Sequence, residues 1–440
     1  MPDTVTSNPA KQQHWSVATF RSLRHRNFQL FFSGQFISLI GTWMQTIAQS
    51  WLVYRLTGSS LLLGVVGFSS QIPVFLLAPL GGLVADRWPR QKVVIATQTA
   101  SMILAFMLAG LALAHRLTVW EIMVLAGLLG VVNAFDIPAR QAFLIEMVSR
   151  EDLMNAIALN SSMFNGARVA GPAVAGILVA ALGVGWCFFA NAVSYIAVII
   201  GLLLMRIPKP AELERNDSAI ENVIEGFRFA RRTGPVWTLL LLVGLVNFVA
   251  MPVTVLMPIF ADRILHGGVQ GLGWLMGAIG VGALLGALAL ATRTDVRGLG
   301  RWVAVSAGAF GVSLVLFGFS HWMWISIAVL VPSGFFMMVE MAATNTLVQA
   351  MSPDRLRGRV MAIYSMMTGG MAPLGSLTAG AAADRIGAPA AVAVGGVWCV
   401  VGAFWFWRHW PRVRGSAREL LVAAGMMTAG PAKQVNAPGD

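Results

Sequence analysis

Long runs of mainly apolar residues alternate with short polar, mostly basic segments along almost the whole chain. A bilayer core about 30 Å thick is crossed by roughly 20 helical residues. Twelve stretches are long enough: 28–54, 60–84, 93–114, 119–139, 155–181, 186–205, 236–260, 271–292, 302–320, 322–350, 360–383 and 389–407. The pattern predicts an all-α membrane protein with twelve transmembrane helices, whose tightest turn falls at Ser320-His321. The longest charged segment between spans, 206–235, follows the sixth and divides the spans six and six. The expected organisation is a tail (1–27), a first six-helix bundle (28–205), a linker (206–235), a second bundle (236–407) and a second tail (408–440). An internal repeat agrees with this division: the segment 144–153 aligns with 347–356 at an offset of 203 residues. Gly166 meets Gly369 at the same offset, and Gly183 meets Gly387 at 204. The two bundles therefore read as pseudo-repeats.

Composition excludes a soluble reading. The chain is 57% hydrophobic and 11% charged, against about 25% charged in ordinary soluble domains. Single soluble cores stop growing near about 250–300 residues, so the excess apolar surface must face lipid. The net charge of +12 suggests nucleic acid only until its placement is considered. Basic residues punctuate apolar stretches instead of clustering on a polar domain, which suits a membrane surface. Lys and Arg accumulate on the cytoplasmic side. With the N-terminus inside, 26 of the 31 basic residues are cytoplasmic, Arg55, Arg116, Arg263 and Arg385 are external, and Arg168 lies mid-span. This places a multi-pass protein in the cell inner membrane with both termini cytoplasmic. Residues 1–27 lack an apolar core, so no cleaved signal peptide is expected. In the linker, Ile220, Val223, Ile224 and Phe227 are spaced for an amphipathic helix along the inner surface; a plain tether is the alternative.

Catalytic chemistry finds little support. Cys187 and Cys399 lie in apolar stretches as small packing residues, and the histidines 14, 25, 115, 266, 321 and 409 fall in tails or at span edges. Neither a metal cluster nor a nucleophile–base pair is expected, and no Gly-x-x-x-x-Gly-Lys phosphate loop is present. No cofactor is implied.

Polar residues inside the spans are more informative, because a charge at mid-depth costs about 2.5–3.5 kcal/mol. Four fall there: Glu121, Asp136, Arg168 and Glu340. Glu121 sits at the outer rim beside Trp120 and reads as solvated. In the first span Gln35, Ser38, Thr42, Gln45 and Gln49 recur at steps of three and four, on one helical face. Such a stripe lines either a wet substrate cavity or a neighbouring helix. The fourth span carries Asn133, Asp136 and Arg140, the seventh Asn247 and Thr254, and the tenth Ser333, Glu340 and Thr344. Spans 1, 4, 7 and 10 open successive three-helix units, so a repeat-built transporter would set them around one central path. Asp136 and Arg140 can neutralise each other at i, i+4. Arg168 needs an acidic partner, either Asp136 or Glu340. Glu340 is the best-placed carboxylate for reversible protonation, with a purely structural role as the alternative. Small residues mark close helix approaches: Gly273/Gly277 and Gly282/Gly286 in the eighth span, and Gly166, Gly171, Pro172 and Gly176 in the fifth.

The turn after the second span reads Gly81-Gly82-Leu83-Val84-Ala85-Asp86-Arg87-Trp88-Pro89-Arg90-Gln91-Lys92. It resembles the helix 2–3 signature of the major facilitator superfamily. Arg24-His25-Arg26-Asn27-Phe28, Trp51-Leu52-Val53-Tyr54 with Thr57-Gly58-Ser59, Phe135-Asp136-Ile137-Pro138-Ala139-Arg140-Gln141 and Arg357-Gly358-Arg359-Val360 are similar to the efflux branch that includes siderophore (enterobactin) and macrolide exporters. The likeness runs from about residue 20 to 405. It implies that Asp86 caps the eleventh helix near Gly358, where the helix dipole is positive, and that Arg90 pairs with Asp136. Gly82, Arg87, Lys92, Arg357 and Arg359 complete the implied gate. The fifth span's Gly166, Gly171, Pro172 and Gly176 resemble the antiporter motif of drug exporters. One departure stands out: proton-coupled drug exporters carry an arginine in the middle of the fourth helix, and 123–135 contains no basic residue.

These readings converge on a monomeric secondary transporter that exports a small amphipathic molecule, such as a siderophore or drug, in exchange for protons or another ion. An importer or facilitator on the same fold is the alternative.

Overall fold

The computed structural model describes residues 20–206, 219–293 and 298–423, with backbone alone at 219–224 and 354. Lys11 in the first tail, residues 207–218 of the linker and the end of the second tail lie outside the described residues. Within them the chain is helical without strands. In lipid no water is available to satisfy backbone groups, and helices satisfy their own.

The first half comprises α1 (Arg26–Thr57), α2 (Ser60–Arg87), α3 (Arg90–Leu113), α4 (Val119–Met147), α5 (Leu153–Leu182) and α6 (Val184–Leu203). A linker helix (Ala219–Arg232) leads into α7 (Gly234–Ile264), α8 (Gly268–Ala291), α9 (Leu299–Gly318), α10 (Met323–Ala350), α11 (354–386) and α12 (Ala388–Ala423). Ten of these, α2 to α10 and α12, are long and apolar enough to cross a membrane. α1 spans 32 residues but carries the polar stripe. α11 is divided by a π-helical turn at Met366–Gly370, and its longest unbroken α-helical piece is the 16 residues Met371–Ile386.

Local chemistry explains several boundaries. Gly58 ends α1 at φ +62, its amide bonding Tyr54 O, in the left-handed conformation that glycine adopts without steric cost. The Ser59 side chain caps α2 by accepting from the Leu62 amide at 3.3 Å. Thr118 and Glu121 form a capping box on α4, with the Glu121 carboxylate 2.6 Å from the Thr118 amide. Glu121 therefore serves the helix end and not the solute path. Gly183 and Gly387, matched by the repeat, close α5 and α11 at φ +90 and +84.

In the first half α1 packs on α5 and α6, α2 on α4, and α3 on α4 and α6. In the second α8 packs on α10, α9 on α10 and α12, and α7 on α11 and α12. The halves meet along two seams, α2 with α11 and α5 with α8. Both are lined by glycines: a Cβ at Gly380 would stand 2.6 Å from Ser60 O, and one at Gly273 2.7 Å from Pro172 O. The two pairs in α8 thus divide their work, because Gly282 and Gly286 face α10 while Gly273 faces α5. Exposed Leu76, Ile103, Ile177, Leu316 and Phe404 form the outer apolar surface. At the end opposite the linker, Trp120, Trp322 and Trp324 stand exposed, as aromatic residues do at a membrane interface.

Two features differ from the sequence expectation. α7 is interrupted at 250–252, at Pro252, and ends in a π-helical turn, Phe260–Ile264. α12 does not end at 407 but continues to Ala423, across Pro411. The linker forms a helix where an amphipathic one is expected, but the side chains of Ile220, Val223 and Ile224 lie outside the described residues. Phe227 packs edge-on against Trp237 at 5.6 Å. Cys187 and Cys399 are buried free thiols.

Candidate functional site

The polar side chains of the first half gather where α1, α3, α4 and α6 meet. Asp136 on α4 is 3% exposed. Thr97 and Gln98 on α3 donate to its Oδ1 at 2.8 and 2.9 Å, and Arg140 Nε lies 3.4 Å from Oδ2. This carboxylate is fully compensated, which is what makes burial of a charge tolerable. The α1 stripe meets α6: Asn191 donates to Gln45 Oε1 at 2.7 Å. A Cβ at Gly41 would come within 2.5 Å of Asn191 Oδ1 and 2.7 Å of Ser194 Oγ. Tyr195 faces Thr42, Asn191, Ser101 and Asp136. Gln45 therefore spends its amide on a neighbouring helix, while Gln35 and Gln98 keep buried Oε1 atoms without a partner. Ser38 accepts from Thr42 at 2.9 Å, and Gln49 and Asn133 are half-buried. Thr97, Gln98, Asn191 and Tyr195 escape a reading that follows stripes on single helices. The signal available was Asn191, Ser194 and Tyr195 sharing one face of an otherwise apolar segment.

Glu340 on α10 has a different setting: four residues on stands Thr344, where Asp136 is followed at the same spacing by Arg140. Glu340 is 0% exposed. Thr344 donates to its Oε1 at 3.3 Å, and Oε2 has no partner. Tyr364 and Cys399 face it from α11 and α12. Asn247 on α7 bonds its own helix at Val243 O, 2.8 Å, and Thr254 bonds Met251 O at 3.1 Å. Arg168 pairs with neither carboxylate; its guanidinium lies over the Trp43 ring, 5.7 Å from the centroid. That cation–π contact replaces the expected ion pair because α5 turns this residue toward α1 at the α8 seam.

The glycines of α5 serve close approaches. Gly171 lies 3.0 Å, by its would-be Cβ, from Ile40 O on α1. Gly176 meets Gly273 and Gln270 across the seam, beside Pro172, while Gly166 only touches Phe36.

The basic turn behaves differently from its implied role. Arg90 pairs with Glu146 at 2.9 Å and not with Asp136; Glu146 lies ten residues along α4, level with the turn, whereas Asp136 is deeper and already compensated. Asp86, Arg87 and Lys92 are exposed, and Asp86 has no hydrogen bond or ion pair among the described residues. A Cβ at Gly82 or Gly358 would meet nothing within 4 Å. At the start of α11, Arg355 and Arg359 are both paired with Glu225 of the linker helix, Arg355 at 3.0 Å.

At the opposite end the halves are tied together. The amides of Ser60 and Leu61, opening α2, donate to Asp384 Oδ1 of α11 at 2.9 and 3.2 Å. Tyr54 donates to Asp262 at 2.8 Å, and Arg263 reaches Gly58 O at 3.3 Å. Neither Asp384 nor Asp262 stands out by its place in a span, although Ala383-Asp384-Arg385 repeats Ala85-Asp86-Arg87.

Residues 17–428 match the model of the transmembrane secretion effector family. The chain belongs to that family. It is a multi-pass membrane protein of the major facilitator type, a transporter of small molecules and not an enzyme. Relatives of this family member include the staphyloferrin A transporter of Staphylococcus aureus, 27% identical over 86% of this chain and 95% of that protein. The enterobactin exporter EntS of Escherichia coli O1:K1 is 28% identical, covering 84% and 89%. The multidrug efflux pump Tap of Mycolicibacterium fortuitum is 27% identical, covering 79% and 87%. Among solved structures, the nucleoside transporter NupG shares the fold with a TM-score of 0.68 at 18% identity, over 88% of this chain and 98% of that one.

Proposed function

We propose that this protein is a secondary active exporter that moves a small amphipathic molecule across the inner membrane by alternating access, driven by a proton or other ion gradient. The observation that carries the reading is the contrast between Asp384 and Asp86. α2 and α11 run antiparallel along one seam; Ala383-Asp384-Arg385 near the end of α11 stands beside the first turn of α2, and α2 itself ends in Ala85-Asp86-Arg87. Asp384 caps α2 at one end, while Asp86 stands uncapped at the other. A carboxylate at a helix N-terminus is favoured by about 0.3–1 kcal/mol or more, so the two caps are natural alternates: formation of one closes the far end, and formation of the other closes the linker end.

In this reading α1 and α11 complete twelve crossings, with 28–205 and 236–407 rocking as two bundles about the seams. Residues 1–27 and 408–440 are cytoplasmic tails and 206–235 is the cytoplasmic linker, as the basic residues favour. The exporter direction follows the names of EntS and Tap, and siderophores or drugs are the substrate class. Gln35, Gln49, Asn133 and Thr254, whose side chains are not all spent on neighbours, contact the solute, and Glu340 carries the proton. The protein acts as a monomer.

Asp86→Asn should insert normally yet export more slowly, because only the state closed at the linker end uses that carboxylate. Accumulation of a labelled siderophore and of antibiotics in a deletion strain, complemented by wild type or variant, measures this. Unchanged efflux by Asp86→Asn would remove the alternate-cap assignment, and faster substrate entry in complemented cells would reverse the direction.

A further inference from the structure

On the perimeter of the second half, at the linker end, α9 and α12 enclose a cleft of about 330 Å³. It is lined by Gly300, Arg301, Ala304, Trp407, Trp410, Pro411 and Arg414. We propose that this cleft binds the phosphate headgroup of an anionic phospholipid.

The floor is a built feature. Gly300 has no side chain, and a Cβ there would collide with the Trp410 indole. Trp410 in turn stacks on the fully buried Phe406, with centroids 5.1 Å apart and planes 23° apart. The ring is thus held flat against the α9 backbone by a residue that cannot move without disturbing the core.

Charge supplies the complement. The Arg301 guanidinium lies over the Trp407 ring at 5.6 Å, and Arg414 stands one turn beyond Trp410. Neither has an acidic partner among the described residues. Guanidinium groups offer planar, paired donors that match phosphate oxygens, and each basic residue near an anionic leaflet contributes about 1 kcal/mol of attraction.

Position identifies the phosphate as a lipid's. α9 packs mainly on α10 and α12, away from both seams, so the cleft is off the solute route. Toward mid-membrane it continues into exposed Val305, Val312, Leu316 and Phe404, a surface suited to acyl chains. On the other side Arg408, Arg412 and Arg418 continue the polar extension of α12. Apolar wall, tryptophan lip and arginines occur in the order of tail, glycerol level and phosphate.

The test is lipid retention by the purified full-length protein, followed by native mass spectrometry and thermal unfolding with added phosphatidylglycerol, phosphatidylcholine or inorganic phosphate. Wild type should retain phosphatidylglycerol in preference to phosphatidylcholine. Arg301→Gln and Arg414→Gln should each weaken that retention about fivefold, and the double variant roughly 20-fold. Arg412→Gln, an equal loss of charge outside the cleft, should stay within about twofold of wild type. Equal retention of the two lipids, or an Arg412→Gln loss as large as either cleft variant's, would overturn the site. Binding of inorganic phosphate that excludes the lipid would overturn the lipid as its occupant. If the double variant unfolds, the single variants decide.

Discussion

The Asp384 carboxylate at the end of α11 accepts hydrogen bonds from the Ser60 and Leu61 amides at the start of α2, at 2.9 and 3.2 Å. Two orphan amides of a helix first turn are satisfied by a negative charge from the other half of the molecule. Asp384→Asn keeps the size and removes the charge. It should cost the far-end closure about 1 kcal/mol, a roughly fivefold shift toward the state open at that end. Spin-label distances between the far ends of α1 and α11 would measure the shift, and an unaltered distribution would make Asp384 a bystander.

Glu340 presents the opposite balance from Asp136. Among the described residues its Oε2 has no partner and no cation is paired with it, so an ionised carboxylate there is poorly compensated. Glu340→Gln removes that charge at nearly constant volume. The variant should unfold at an equal or higher temperature while losing the pH dependence of transport. A wild-type pH profile would leave Glu340 with a structural role only.

The seam between α5 and α8 depends on the absence of side chains. A Cβ at Gly273 would stand 2.7 Å from Pro172 O, a backbone atom that cannot swing aside. Gly273→Val should cost about 1–3 kcal/mol through overpacking. Thermal melting would show this, whereas Gly277→Val should be milder, because a Cβ there meets nothing within 4 Å. Equal losses would indicate that the seam is not the constraint.

Asp152, at the start of α5, is held below the usual carboxylate range by the hydrogen bond from His25 and by the Arg21 guanidinium, with burial acting the other way. The contacts are 2.8 and 2.7 Å. Because the docked pKa is depressed, this contribution is complete above the ordinary carboxylate range and is lost as pH falls through the lowered value. Amide exchange at 21–25 should therefore accelerate below about pH 4, and Asp152→Asn should show the fast exchange already at neutral pH. Exchange independent of pH in wild type would rule out this clasp.

The basic turns, the apolar run lengths and the 203–204-residue repeat were legible in the amino-acid order, because hydropathy and charge placement are summed over many residues and tolerate local error. The paired Gly183 and Gly387, with matching positive φ, show that the repeat reaches backbone geometry. Partner choice is another matter. Gln45 meets Asn191 146 residues away, Arg90 selects Glu146 over Asp136, and Arg168 settles on Trp43. Each choice depends on the rotation and depth of one helix against another. One-dimensional spacing identifies which face of a helix is polar but not which neighbour that face will meet. The composition and order of residues alone determined a multi-pass membrane protein whose apolar runs are punctuated by basic turns. Only tertiary packing decided which Ala-Asp-Arg sequence caps a helix of the other half, since a cap requires two helix ends to arrive within about 3 Å.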